Sequence, residues 1–395
     1  MCPSRAVTAA VIVLACAPGA AAALPEVDVS GFGTAGYAIT DSGKVEFGRS
    51  QLQSGGADED GDVGVDSLLA VQATVHLSDM FSATAQAMVR RLFGSSFELD
   101  VPVFFAKADV TRDLSIRVGR IPLPVFMVSD YRQVGYSNTW MRPPIEIYGQ
   151  IPFDSDDGAD VLYSTSLGRA DISTQVFYGK TDATLPLGPL ESRKNFGYNV
   201  NVTLGPITVH AGRSQSSLTS NAASVNQLLA QVGAAGFPAL ANRLAVVNVP
   251  FEFTDYGFNY AGTHVVLQGE LTKETFGGYL ASTDAEYLLA GYRVGKFTPY
   301  GIFARQKITS ERTDTTIPQV GPLIPLAEAV NQLINSVGAD QHTISAGVRW
   351  DFHESLDLKL QFDRVSAQGN GLFINPQPGF HGPVDVLGLA LDFVF

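Results

Sequence analysis

Cysteine is nearly absent from this 395-residue sequence, which contains only Cys2 and Cys16. Both lie in an N-terminal segment that has one basic residue, a short apolar run and then the small residues of "APGAAAALPEV". This order is typical of a secretory signal peptide, and we predict that residues 1–23 are removed. The chain 24–395 would then have no disulfide and no thiolate chemistry. The alternative is a lipoprotein signal at "VLAC" with Cys16 acylated, which Leu14 fits poorly.

Charge is also scarce. Charged residues make up 16% of the sequence, and 26 Lys and Arg against 39 Asp and Glu leave a net charge of −13. An acidic surface argues against nucleic acid as a partner. Beyond the N-terminal segment, no apolar run approaches the ~20 residues that a transmembrane helix needs. The composition therefore argues against a nucleic-acid-binding protein and offers no segment for a transmembrane helix beyond the N-terminal segment.

Recognisable catalytic motifs are missing as well. The sequence has no G-x-S-x-G and no H-E-x-x-H, and none of its six histidines belongs to a nucleophile motif. Neither a positioned serine nucleophile nor a zinc-binding helix is therefore indicated. We predict no enzymatic activity, no cofactor and no metal centre.

Alternation of apolar and polar residues is the dominant pattern. In "NFGYNVNVTL", from 195 to 204, the aromatic and aliphatic residues share one face and the asparagines share the other. "LDLKLQFDR" sets leucines and Phe362 against Asp357, Lys359, Gln361 and Asp363. Period-two alternation is typical of a strand with two different environments. Because unpaired charges fill the second face, we expect that face to be in contact with water.

Sixteen such segments follow one another, and short turns alternate with long loops. An even number of ~10-residue strands with this alternation is typical of an outer-membrane barrel. We therefore predict an all-β fold, a transmembrane antiparallel β-barrel of about 16 strands with short periplasmic turns and long external loops. A soluble propeller or sandwich is the alternative. The predicted strands are 27–40, 65–77, 81–93, 102–111, 114–121, 158–167, 171–180, 195–204, 207–215, 252–261, 265–275, 284–294, 297–308, 341–352, 356–365 and 383–395; the expected long loops include 181–194.

The stretch "SGFGTAGY" contains Gly31, Gly33 and Gly36 in the G-x-G-x-x-G spacing of a dinucleotide-binding loop. That function needs a helix after the glycines. Here the alternation continues into a polar loop instead. We interpret the glycines as small positions of the first strand, where a neighbouring strand or a loop approaches closely.

With its leader, its opening "VSGFGTAGYA", its alternating strands, its long third loop and its last strand "DVLGLALDFVF", the chain resembles the porins of Gram-negative outer membranes. The resemblance covers the whole chain after the leader. It implies a homotrimer in the outer membrane, in contact with its lipid, and a water-filled pore for small hydrophilic solutes and ions. It also implies that Phe395, a C-terminal aromatic, is read by the barrel-assembly machinery.

The third long loop, 122–157, is rich in proline, aromatic and charged residues. The resemblance implies that it folds into the lumen and narrows it. Opposed charges across such a constriction would set ion preference. The alternative is that the loop charges face the external mouth, and the carboxylates of 154–157 are a less favoured calcium site. Our candidate constriction residues are Asp130, Arg132, Arg142 and Glu146 in the loop and Arg117 and Arg120 in the wall; further possible wall partners are Arg90, Lys107, Arg349 and Lys359.

Two other long loops contain a helical pattern. "SVNQLLAQVGAAG" and "AVNQLINSVGAD" share V-N-Q-L-x-x-x-V-G-A and place apolar residues on one stripe. We expect helices near 222–234 and 326–338. They would either pack together over the mouth and gate it, or simply lie against the barrel rim.

The sequence thus predicts one barrel domain over 24–395 that acts as a diffusion porin. A substrate-selective outer-membrane channel is the first alternative, and an outer-membrane barrel enzyme or an adhesin is less favoured. The net negative charge of the chain slightly favours cations over anions as the ions that pass.

Overall fold

The computed structural model describes residues 25–93, 96–185 and 188–395. The predicted signal peptide, 1–23, lies outside these residues. Sixteen strands form one closed barrel, in which each strand pairs antiparallel with its sequence neighbours and the last strand pairs with the first. This confirms the predicted fold class. The strands are β1 (Glu26–Thr40), β2 (Leu68–His76), β3 (Phe81–Arg91), β4 (Phe97–Asp109), β5 (Leu114–Pro122), β6 (Ser155–Leu167), β7 (Ala170–Leu185), β8 (Gly188–Leu204), β9 (Ile207–Ser220), β10 (Val249–Ala261), β11 (Val265–Phe276), β12 (Thr283–Tyr292), β13 (Phe297–Ile308), β14 (Gln341–His353), β15 (Leu356–Ala367) and β16 (Val384–Val394).

The helices of the described chain all lie in long loops. They are α1 (Ile145–Tyr148), α2 (Ala223–Ala234), α3 (Pro238–Leu244) and α4 (Ile324–Asn335). None of these helices is long and apolar enough to cross a membrane.

The two faces of the strands meet different surroundings, as their period predicts. In β8, Phe196 and Tyr198 point outward and are exposed, whereas Asn195 and Asn199 point inward and are buried. The expectation that all inward polar residues see water is wrong for β15. Its inward residues Asp357, Lys359, Gln361 and Asp363 are buried, because a loop covers them inside the barrel.

One predicted loop is wrong. Residues 181–194 are not a long loop, because β7 and β8 continue as a hairpin to Leu185 and Gly188. A register shift between Gly179 and Thr181 interrupts the pairing. Such a bulge changes which residues face inward, so the simple alternation ends there although the strand does not.

The barrel closes where β1 pairs with β16, and this seam explains two of the three glycines. Gly31 and Phe395 exchange two backbone hydrogen bonds, at 2.9 and 3.0 Å. On the outer face, the rings of Phe395 and Phe393 lie directly over Gly31 and Gly33, in the space that a side chain would need. Gly36 faces the lumen, where the side chain of Asp66 occupies the equivalent space.

This seam predicts a specific loss of stability for Gly33→Leu. The new side chain would displace the Phe393 ring, and such overpacking costs about 1–3 kcal/mol. The folded barrel should therefore unfold at a lower temperature, measured by the shift of the barrel band in gels after heating. Ala35→Leu is the matched control, because Ala35 is an outward and exposed residue of the same strand. Adding Phe393→Leu should restore stability to Gly33→Leu; an equal loss in both single variants would contradict the role of the ring.

Candidate pore constriction

The segment 123–154, here called the inner loop, lies inside the barrel. It leaves β5 and returns in β6, yet it contacts the opposite wall. The backbone N–H of Met127 donates to Asp255 Oδ2 and to Glu270 Oε2, both at 3.1 Å. These carboxylates belong to β10 and β11, so the loop crosses the lumen.

Aromatic packing holds the inner loop against that wall. The ring centroid of Phe126 lies 4.9 Å from that of Tyr148 and 5.2 Å from that of Phe253 in β10. Trp140 meets Tyr287 in β12 at 5.6 Å. Edge-to-face contacts of this kind add to the free energy gained by burying the rings. The lumen beside β10 to β13 is therefore filled by side chains rather than by water.

Arg142 ties the inner loop to two other parts of the barrel. It donates to Asp66, in the first long loop, and to Asp363 in β15, each at 2.7 Å. All three residues are buried. Burial alone would lower the pKa of the Arg142 guanidinium, but the two carboxylates outweigh it and raise the pKa. Arg142 therefore clamps the loop and does not line open space.

Glu146 is a second anchor. This residue of α1 is buried, and it accepts hydrogen bonds from Gln341 Nε2 at 2.9 Å and from the Thr343 hydroxyl of β14. Burial raises the pKa of the Glu146 carboxyl, although both hydrogen bonds oppose the rise. The structure thus places Glu146 in the packing of the loop.

The side chains of the wall residues Arg349 and Lys359 also contact the inner loop and do not extend into open space. Lys359 Nζ donates to the carbonyl of Gly135 at 2.6 Å and to Asp392 at 2.8 Å. Arg349 donates to the carbonyl of Tyr136 at 2.7 Å. Because these contacts span β14 to β16, the loop is fixed on the far side of the barrel along much of its length.

A cavity of about 480 Å³ lies inside the barrel between the inner loop and the inner faces of β1 to β5. Three of the six predicted constriction residues line it: Asp130 and Arg132 from the loop and Arg117 from β5. Arg90 and Asp154 line it as well. These five residues are the candidate constriction.

Carboxylates neutralise the arginines of the constriction. Arg117 holds Asp160 through Nε at 3.0 Å and Nη2 at 2.5 Å. Arg132 donates to Asp154, and Arg90 Nη1 lies 2.5 Å from the other oxygen of Asp154. Burial would raise the pKa of Asp154, but the two guanidinium groups outweigh it and hold the pKa well below its usual range. Asp154 is therefore ionised and fixed between two cations.

Asp130 is different because its side chain is exposed in the cavity. Within the described chain it forms neither an ion pair nor a hydrogen bond through its carboxylate. Removal from bulk water by the surrounding wall raises the pKa of the Asp130 carboxyl. The positive charge of Arg117 opposes this rise, and the negative charge of Asp160 adds to it. Asp130 is thus the accessible charge of the constriction.

The Arg90–Asp154 pair lies between two cavities. Both residues also line a second cavity, of about 340 Å³, together with Glu98 and Asp100. Arg120 and Asp157 line this second cavity as well. It therefore reaches the outer surface beside β5 and β6, and the Arg90–Asp154 pair separates it from the cavity inside the lumen.

Arg120 is not brought together with the other candidates. It pairs in register with Phe104, which points outward and is 64% exposed. Its guanidinium binds Asp157 at 2.7 and 3.0 Å on the same outer face. Arg117 and Arg120 are three residues apart, so they lie on opposite faces of a regular strand. The alternation itself could have excluded Arg120 from the lumen.

The acidic cluster 154–157 is not gathered at one point. Asp154 faces Arg90 and Arg132, Asp156 accepts from Asn195 at 2.7 Å and Asp157 faces outward. Within the described ranges, no group of three histidine, cysteine or acidic residues is arranged to hold a metal ion.

The two loop helices pack together. Val225, Leu229 and Val232 of α2 belong to the same apolar cluster as Val330 and Leu333 of α4, together with residues of the barrel rim. The apolar stripes of α2 and α4 therefore both face this apolar cluster. Whether the helices gate the mouth stays a prediction.

Several charged residues that join the loops to one another or to the wall were missed from the sequence. Arg91 pairs with Asp62 of the first long loop, and Arg49 donates to Gln133 of the inner loop at 3.1 Å. Arg49 and Asp62 lie in loops without period, so no sequence signal indicated them. Asp160, the partner of Arg117, could have been found, because it alternates inward in β6.

Comparisons with known proteins identify the fold. No family model matches the chain, and no curated protein matches it. Solved structures do. The outer membrane channel DcaP of Acinetobacter baumannii has a TM-score of 0.57 at 10% identity, covering 94% of this chain and 98% of that one. An anion-selective porin from Comamonas acidovorans has a TM-score of 0.54 at 13% identity, covering 94% and 100%. The trimer form of OmpT of Vibrio cholerae has a TM-score of 0.52 at 11% identity, covering 94% and 100%. The chain therefore has the porin fold of Gram-negative outer membranes.

The Arg142 clamp predicts a strong effect of Arg142→Met. The substitution leaves the Asp66 and Asp363 carboxylates buried without a cation, which costs about 3–5 kcal/mol. The barrel should unfold at a clearly lower temperature, and adding Asp66→Asn and Asp363→Asn should recover most of the loss. Arg364→Met is the control, because its pair with Asp385 is exposed and is worth about 0–1 kcal/mol. Equal losses in the two single variants would contradict the clamp.

Proposed function

We propose that this chain is an outer-membrane porin that lets small hydrophilic solutes and ions diffuse passively through a water-filled channel. One observation supports the proposal: a closed barrel with an exposed apolar outside contains a cavity lined by Arg90, Arg117, Arg132, Asp130 and Asp154. Ionised side chains on both sides of a narrow passage favour hydrated, charged or dipolar solutes. The proposal assigns no catalytic activity to the chain.

A substrate-selective channel is the second candidate, and the filled half of the lumen favours it. Aromatic packing and the Arg142 clamp confine the passage to the side of β1 to β5. A passage of this kind admits fewer solutes than an open sixteen-stranded barrel, whose lumen is wide enough for water.

The proposed path to the membrane uses both ends of the chain. A signal peptide at 1–23 would direct export, leaving one barrel domain over 24–395. The C-terminal Phe395 on the last strand would be recognised by the barrel-assembly machinery. The inner loop, which lies within the predicted loop 122–157, would then form the constriction in the mature barrel.

The proposed assembly is a homotrimer joined through β2 to β4. The middle of their outward face carries small side chains: Ala73 pairs with Ala85, and Ala83 pairs with Ala106. Larger exposed side chains, such as Phe81 and Phe104, flank this alanine patch. Most other strands present large aromatic residues outward, such as Tyr178, Tyr198 and Phe303. A flat surface of small residues allows close packing between copies, whereas large aromatic side chains suit contact with lipid.

Conductance tests the pore. Purified, folded protein in a planar bilayer should give stable ohmic current steps, and a salt gradient should give a reversal potential. Arg132→Gln removes a cation from the constriction and should raise the cation-to-anion permeability ratio roughly twofold to fivefold. Asp130→Asn should lower the ratio by a similar factor.

Arg364→Gln is the matched control, because Arg364 is an exposed rim residue that faces away from the lumen. It should leave the reversal potential unchanged. Folded protein that stays silent in the bilayer would defeat the porin proposal. If current steps appear but Arg132→Gln and Asp130→Asn leave the reversal potential unchanged, the assignment of the constriction is wrong.

Ala85→Trp tests the proposed trimer. A large ring on the flat face should separate the subunits, because it cannot pack between two copies, while it remains acceptable to lipid. Native mass spectrometry should then report monomer. Ala290→Trp is the control, since Ala290 is outward and exposed on β12. Trimers in both variants would contradict an interface at β2 to β4.

A further inference from the structure

The outer surface of β10 to β13 carries a groove of about 450 Å³ close to the long loops. Two rows of residues cross it in register. The upper row runs from Lys273 through Asp284 to Lys307. The lower row runs from Leu271 through Glu286 to Arg305. All these residues point outward, so this groove, here called the outer groove, lies outside the barrel.

The height of the outer groove can be read along β13. Phe297, near a short turn, stacks on Trp350 with ring centroids 5.7 Å apart, and both rings are exposed. Such aromatic residues gather at the membrane interface. Lys307 follows Phe297 by ten residues on the same face. At ~3.3 Å per residue and a tilt of about 40°, Lys307 stands about 25 Å higher, which is the height of the apolar band of such barrels.

The lysines of the outer groove form no close ion pair. Within the described residues, no carboxylate oxygen lies within 4.0 Å of the Lys273 or Lys307 ammonium, and Arg305 lies 3.9 Å from Glu286. By contrast, Arg193 and Arg364, on other strands near the long loops, lie 2.5 and 3.2 Å from their carboxylates. The groove therefore leaves two ammonium groups open for an external anion.

The floor below the cations is apolar. Tyr256 and Leu271 line the groove and are 59% and 56% exposed. The next residues towards the short turns, Leu288 and Phe303, pair in register and are also exposed. A surface with cations at the headgroup level and apolar side chains beneath matches a molecule with an anionic head and acyl chains.

We propose that the outer groove binds an outer-leaflet lipid with a phosphate-monoester headgroup. The phosphate contacts Lys273, Lys307 and Arg305, and an acyl chain lies along Tyr256, Leu271 and Leu288. The proposal rests on the membrane placement proposed above but not on conduction. The glycerol- or sugar-bound phosphate carries up to two negative charges, so it satisfies both open ammonium groups at once.

Lipid binding to the folded protein in neutral detergent tests the proposal by native mass spectrometry. Phosphatidic acid, which has a phosphate monoester, should bind about tenfold tighter than phosphatidylcholine with the same acyl chains. Lys273→Gln with Lys307→Gln should abolish most of this preference. Arg193→Gln with Arg364→Gln is the matched control: it removes the same charge from strands away from the groove and should retain the preference.

Two results would overturn the proposal. Equal losses in both double variants would mean that the rim attracts anionic lipid diffusely. Displacement of phosphatidic acid by equimolar glycerol 3-phosphate would mean that the apolar floor contributes nothing. Gel mobility before and after heating checks that each variant is folded. Bilayer conductance reports on the pore separately. Failure of the porin proposal can therefore be distinguished from failure of the lipid site.

Discussion

The structure depends on the hydrogen bonds that join its first strand to its last. β1 and β16 pair from Phe32–Val394 to Thr40–Val386, and the sheet thereby becomes a ring. A membrane interior offers no water to an open sheet edge, so closure is the condition under which such a sheet can exist there. The aromatic rings over Gly31 and Gly33 cover the same seam. Once the ring is closed, alternate side chains must face either the outside or the lumen.

Closure of sixteen strands leaves a lumen too wide for wall side chains to fill. The inner loop occupies much of that space, and it needs many partners because it carries charges into a confined volume. Arg142 between Asp66 and Asp363, and Lys359 beside Asp392, supply them. The same loop leaves a cavity along β1 to β5 in which arginines stand against carboxylates. Anchoring on one side of the barrel therefore determines where the cavity lies on the other.

The outer surface is divided as well. A patch of alanine side chains lies on β2 to β4, large apolar residues cover much of the rest, and charged rows appear near the long loops. In every strand the alternation decides which residues face outward, but the type of residue there differs with the neighbour that it would contact. A protein subunit needs a flat surface, acyl chains accept bulky rings, and headgroups need charge. The outer groove at Lys273 and Lys307 is the place where we propose that the last two requirements meet.

The sequence alone determined the strands, their antiparallel order and the face of most wall residues, because a period of two is a local property of the chain. The outward direction of Arg120 also follows from the sequence, because Arg120 is three residues from the inward Arg117 in the same strand. It did not determine the places of Arg142 and Glu146. Both were predicted to line the pore, whereas Arg142 binds carboxylates 76 and 221 residues away and Glu146 is buried against β14. A loop has no period, so only the closed barrel, which brings distant strands around the inner loop, decided which of its charges became anchors and which remained exposed in the passage.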